Sequence, residues 1–181
     1  MKCFVPLLCW LMFGGSSSLV SDEVRYQVTY PPEGKYDSFY QKMVSLRGFP
    51  ILSSEKVSDY ALKEAAYLID TMLAGHDDIL QAMIESKTRF VVMSQDEMTT
   101  QVPEHSDLNP SRFWDRRARG LGATKVRPAV SCGEENLLNY PGDPYHAENI
   151  LIHEFAHAIH QMGLNRIDQE FQAKLNATYE A

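Results

Sequence analysis

The chain has 181 residues, 44% of them apolar and 23% charged, with a formal net charge of −7. That is room for one domain with a core of its own, in the composition of an ordinary soluble globular protein. The acidic balance argues against nucleic-acid binding, which calls for a basic face.

The N-terminus reads as a secretory signal peptide over 1–21. Lys2 supplies the positive start, Cys3 to Phe13 form an apolar stretch too short to span a membrane, and the small residues Gly14 to Ser18 offer cleavage near Ser18 or Ser21. A buried helix is the weaker reading, because Pro6 and Gly14-Gly15 interrupt it. A secreted, extracellular protein follows. No other run approaches transmembrane length, so no membrane span is expected. Residues 22–181 are read as one domain, since no repeat, low-complexity segment or linker divides them.

Val24, Tyr26, Val28 and Tyr30 alternate with polar residues and predict a strand ending at Pro31-Pro32. Tyr36, Phe39, Tyr40, Met43 and Val44 fall at helical spacing, with Gly48 suited to the helix end. Ser58 is the predicted N-cap of a helix carrying Leu62, Ala65, Ala66, Ile69 and Met72, with Gly75 after it. A shorter helix holds Ile79, Leu80, Met83 and Ile84. Arg89 to Met93 reads as a buried strand. Ser94 to Gly122 is polar and irregular, with Phe113 and Trp114 as packing anchors. Its basic cluster, Arg116-Arg117-Ala118-Arg119, reads as a solvated loop or, alternatively, as a proprotein-convertase site. Val126 to Val130 predicts a short strand, placed at a sheet edge by Pro128.

Cleavage of the signal would remove Cys3 and Cys9 and leave Cys132 alone. Three roles are open to it: pairing with a partner, a buried thiol, or a thiolate that inhibits a metal site. Asn176-Ala177-Thr178 is an N-glycosylation acceptor, whereas Asn109-Pro110-Ser111 is excluded by its proline.

The chemistry lies at His153-Glu154-Phe155-Ala156-His157, an H-E-x-x-H motif within an uncharged apolar run. Helix positions four apart share a face, with about 6 Å between them. Two imidazoles so placed can both reach one zinc ion. Glu154, rotated about 100° from His153, is poorly set to be a third ligand but well set to reach a water on the metal. As an ordinary buried helix, the motif would crowd three polar groups into an apolar stripe, which is costly without a shared partner. The expected helix runs from Pro144, with Asp143 as N-cap, to Met162, with Gly163 after it. A second helix follows Asn165 and carries Ile167, Phe171, Leu175 and Tyr179. It reaches Ala181 with no stop signal, so the domain reads as cut short at its C-terminus.

Through this motif and helix, over roughly residues 140 to 163, the chain resembles the zincin superfamily of metallopeptidases. H-E-F-A-H resembles the gluzincin branch, and lethal-factor-like secreted metallopeptidases in particular. The resemblance implies an α+β zincin-like catalytic domain, a small twisted sheet with an active-site helix. It also implies an edge strand that binds extended substrate, for which Val126 to Val130 is the candidate. The implied activity is a secreted zinc-dependent endopeptidase acting on a peptide or protein substrate, with Zn2+ on His153 and His157 and Glu154 as general base.

Metzincins would need glycine at position 160 and a ligand at position 163; His160 and Gly163 stand there, which excludes that branch. A thermolysin-like third ligand would fall near Ala177, where there is no acid, and a lethal-factor-like one would lie beyond Ala181. Folding back of the two helices about Leu164 would bring Glu170 opposite His157, a local candidate weighed against an ordinary surface glutamate. His160 is read as supporting or partly exposed, and His146 as exposed. Tyr140, Tyr145 and Tyr179 are tyrosines of the kind that steadies an oxyanion in the family, with nothing to single one out. With two ligands of three, the chain alone is expected to bind metal weakly and turn over little. The rival reading is a catalytically inactive zincin-fold module that binds extended peptide.

Overall fold

The computed structural model describes residues 25–180, so the signal-peptide reading over 1–21 lies outside the described residues. The fold is α+β, built on a five-stranded mixed sheet of order β1-β2-β3-β5-β4. The strands are β1 (Lys42–Leu46), β2 (Phe49–Ser53), β3 (Arg89–Met93), β4 (Gly120–Leu121) and β5 (Ala129–Gly133). β2, β3 and β5 run parallel; β1 and β4 are the antiparallel edges. None of the described helices is long and apolar enough to cross a membrane.

The helix expected around Tyr36 to Val44 does not form: Tyr36 to Gln41 lie in turns and loop, and Lys42 to Val44 begin a β-hairpin. Arg47 and Gly48, with φ of 49° and 93°, form a two-residue turn that sets Leu46 opposite Phe49. Positive φ at both central residues is the hairpin geometry matched to strand twist, so Gly48 serves the turn and not a helix end. The strand expected from Val24 to Tyr30 reduces, among the described residues, to a single bridge between Thr29 and Met43.

The middle of the chain follows its periodicity. α1 (Asp59–Met72) is capped by Ser58, whose side chain accepts from the Tyr60 N–H, and α2 (Asp77–Glu85) follows. Together they carry the chain from β2 to its parallel neighbour β3, a connection that needs a crossover. Successive β3 residues face opposite sides of the sheet. Phe90 and Val92 join α1, α2 and the motif helix in the main core, while Val91 and Met93 meet Tyr40 and Val102 on the other face.

Two calls on strand position change. The strand expected at Val126 to Val130 is β5, which starts at Ala129 and lies between β3 and β4. Pro128 precedes it and accepts the Arg89 N–H at 3.0 Å through its carbonyl, while Val126 is exposed in the turn before it. The edge strand is β4, in the segment expected to be irregular. That segment also forms α3 (Ser111–Arg117), on which Phe113 is half-exposed and packs edge-on to Trp114, so Phe113 does not anchor a core. Arg119 lies in the bend between α3 and β4, but its guanidinium is paired and not freely solvated. Its guanidinium is bidentate to Glu135 (2.5 and 2.9 Å) and also donates to the Ser94 and Glu97 carbonyls. This buried pair clamps the start of β4 to the residues after β5.

Cys132 is a buried thiol of the main core, with Sγ 3.3 Å from the Gly133 carbonyl oxygen. Its complete burial corrects the readings that would pair it with a partner or bring its thiolate to a metal, and burial pushes its pKa up.

Candidate metal centre

The motif helix, α5, spans Ile150–Ala158, shorter than expected. Its N-cap is Asn149, whose side chain accepts the Ile152 N–H at 3.0 Å. Asp143, expected in that role, is buried in the preceding turn and accepts from Asn136 Nδ2 (2.8 Å) and the Tyr145 N–H (2.9 Å). Asn136 organises the approach: it also donates to the Glu148 carbonyl (2.9 Å) and accepts the Ile150 N–H (2.8 Å). One short α4 residue (α4 is Glu134–Leu137) thus sets where the motif helix begins.

Beyond Ala158 the helix widens into a π-type segment, Ile159–Leu164. Gly163 does not close the helix. A Cβ there would lie 2.6 Å from Ile79 Cγ2, so the glycine lets this segment pack against α2. Helical backbone continues through Leu164 to Ile167, and α6 (Phe171–Glu180) starts after Asp168, which accepts the Glu170 N–H. The fold-back about Leu164 is therefore absent. Glu170 is exposed, with its carboxylate 3.5 Å from Lys174 Nζ.

α5 turns Ile150, Leu151, Phe155 and Ala158 into the core and leaves His153 and His157 exposed. The two imidazoles face solvent, so burial imposes no cost on them that a metal would have to offset. Their ring centroids stand 5.1 Å apart. Two neutral imidazoles side by side on an open face suit zinc as a pair of ligands. Among the described residues no group of three or more His, Cys, Asp or Glu side chains is gathered to hold a metal.

Glu154 is half-buried between the helix and β4. Burial raises its pKa; His153, His157 and the Gly122 N–H oppose that rise without cancelling it. Glu148, not singled out in the sequence, brings Oε2 to 3.6 Å from His153 Nδ1. His160 is half-buried, with Nε2 2.8 Å from Gln172 Oε1, and His146 is exposed as expected, though in the turn before the helix. Asn176 is exposed on α6.

A cleft of ≈ 320 Å³ joins these groups to β4: Gly120 and Leu121 form one wall, Glu148, His153 and Glu154 another, with Trp114 and Tyr145 beside them. Tyr145 is thus the tyrosine nearest the chemistry; its hydroxyl donates to the Arg117 carbonyl. Tyr179 is far more exposed, on α6. No family model, curated protein or solved structure matches the chain significantly.

Glycine at position 120 is what lets β4 lie so close to the helix. A Cβ there would meet Ile150 Cγ2 and come within 2.8 Å of the Ser131 carbonyl oxygen. Gly120→Ala is therefore expected to cost about 1–3 kcal/mol through overpacking, read as a lower urea midpoint. An unchanged midpoint would mean that β4 does not press on α5.

Proposed function

We propose that the protein is a secreted zinc-dependent metallopeptidase of zincin type, an endopeptidase of the gluzincin branch. The observation that supports this most is the pair His153 and His157 on the open face of α5, with the Glu154 carboxylate beside them and the outer edge of β4 across the cleft. Zinc held by the two imidazoles and a third ligand would polarise the scissile carbonyl and acidify the attacking water.

The chain's own residues supply the rest. An extended peptide adds to the outer edge of β4, where backbone groups give affinity regardless of side chain. Glu154, one residue past His153, takes the proton from the attacking water and delivers it to the leaving amine. Its half-burial raises its pKa above the ordinary carboxylate value, the direction that suits a group which must take up a proton. Glu148 stands 3.6 Å from His153 Nδ1, beyond hydrogen-bond length; on closing that distance it would hold the ring as the usual outer partner of a ligating histidine does.

The test is zinc content. Purified protein is expected to hold about one zinc per chain, and His153→Ala or His157→Ala to abolish it. Zinc binding that survives both substitutions would sink the assignment. The second reading, a peptide-binding module without catalysis, is favoured by the lack of a third metal-ligating side chain beside the pair among the described residues. It predicts peptide binding with neither zinc nor turnover.

A further inference from the structure

The basic cluster is not a solvated loop. Arg112, Arg116 and Arg117 are exposed on α3, next to the cleft. Arg25, Arg47, Arg89, Arg119 and Arg127 each have a carboxylate within 4 Å. Among the described residues, the three on α3 have none, nor has Arg166, which stands alone on another helix. They line a broad groove of ≈ 930 Å³ together with Pro110, Phe113 and Tyr145. Arg117 and Tyr145 also line the cleft of His153 and Glu154, so groove and cleft lie side by side and share that wall.

The rest of the helix is held so that this face stays outward. Asp115, three residues after Arg112 and so its neighbour on the helix surface, accepts from the Thr100 N–H (2.9 Å) and its hydroxyl (3.0 Å), fixing that flank of α3 to the preceding segment. Arg116 and Arg117 suit the last turn of a helix, where the dipole favours cations, but Arg112 stands in the first turn, where it does not. The local helix therefore does not account for all three. The charge also differs between the two: the cleft lining mixes Glu148 and Glu154 with Arg117 and Arg119, whereas the groove lining carries the three arginines and no carboxylate. On a chain of net charge −7 this is a local reversal of sign, which favours an anionic group at one place and disfavours it elsewhere.

We propose that the groove against α3 receives acidic side chains of the peptide whose scissile bond lies at His153 and Glu154, with Arg112, Arg116 and Arg117 facing the carboxylates. This rests on the peptidase reading of the cleft and narrows its substrates to peptides with Asp or Glu a few residues from the cleaved bond. Guanidinium forks suit carboxylates, and the Phe113 ring, 5.8 Å from the Arg117 guanidinium carbon, offers an apolar surface for the peptide stem.

The experiment uses the full chain carrying Glu154→Gln and fluorescent decapeptides that differ only in an Asp or Asn pair moved along the sequence, with anisotropy as readout. At one register the Asp peptide is expected to bind about tenfold more tightly at about 20 mM salt, approaching parity at about 0.5 M as the charges are screened. The double variant Arg112→Glu/Arg116→Glu changes only exposed positions and should reverse the preference toward a Lys pair. Equal affinities at every register, a preference that survives the double variant, or no binding of any peptide would overturn the proposal. Zinc content of the same samples separates the two readings. Zinc bound through His153 and His157 with no acidic preference sinks the arginine groove alone. Acidic preference without zinc supports the groove and sinks the peptidase.

Discussion

Glu154→Gln is expected to leave zinc content unchanged and to lower peptide hydrolysis by about 10²–10⁴-fold. Glutamine matches glutamate in size and keeps the half-buried packing between α5 and β4, but it cannot accept the water's proton. The position is rotated about 100° from His153 along the helix, so removing its charge takes no ligand from the metal pair. Hydrolysis is measured on a form of the chain that holds one zinc, with metal content determined on the same sample. Loss of zinc would make Glu154 a ligand, and unchanged turnover would place the base elsewhere.

Phe155→Ala is expected to destabilise the fold by about 3–5 kcal/mol. Phe155 is the motif's inward residue, fully buried, with its ring edge-on to Phe49 at 5.8 Å and to Phe90 at 6.2 Å between centroids. It ties α5 to β2 and β3, and so holds the face that presents His153 and His157. Truncation leaves a cavity that the sheet cannot close, because both neighbouring rings are themselves buried on strands. The urea midpoint should fall sharply, whereas Ile152→Ala, exposed on the same helix, should stay within about 0.5 kcal/mol of the parent. A small loss at Phe155 would mean that α5 is held by its ends alone.

Where local pattern and local physics agreed, reading along the chain sufficed. Ser58 with the stripe Leu62 to Ile69 has cap and period for one helix, and the apolar run Arg89 to Met93 is too short and too buried to be much else. The stretch Tyr36 to Val44 failed because five apolar residues fit a helical period as well as a strand. Only the Arg47-Gly48 turn, closing β1 onto β2, settled it. Pro128 suggested an edge strand, but it sits just before β5, where its missing N–H is not needed and its carbonyl meets Arg89.

The same division runs through the site. His153, Glu154 and His157 were legible from the sequence alone, because i, i+1 and i+4 on one helix fix their relative placement before any tertiary contact forms. Which side of α5 they face was not, and the apolar flanks pointed wrongly to burial. Asn136 and Gly120 carry no local signal, since each acts across a distance in sequence that only the packed sheet closes. By itself, then, the sequence determined the identity and spacing of the motif residues, a property of one helical turn. The tertiary structure decided that β4 is the edge beside them, that Glu170 is exposed and paired with Lys174, and that the α3 arginines line a groove next to the cleft. Those outcomes depend on strand order and helix direction, which arise from burying both faces of one sheet and not from any single stretch of chain.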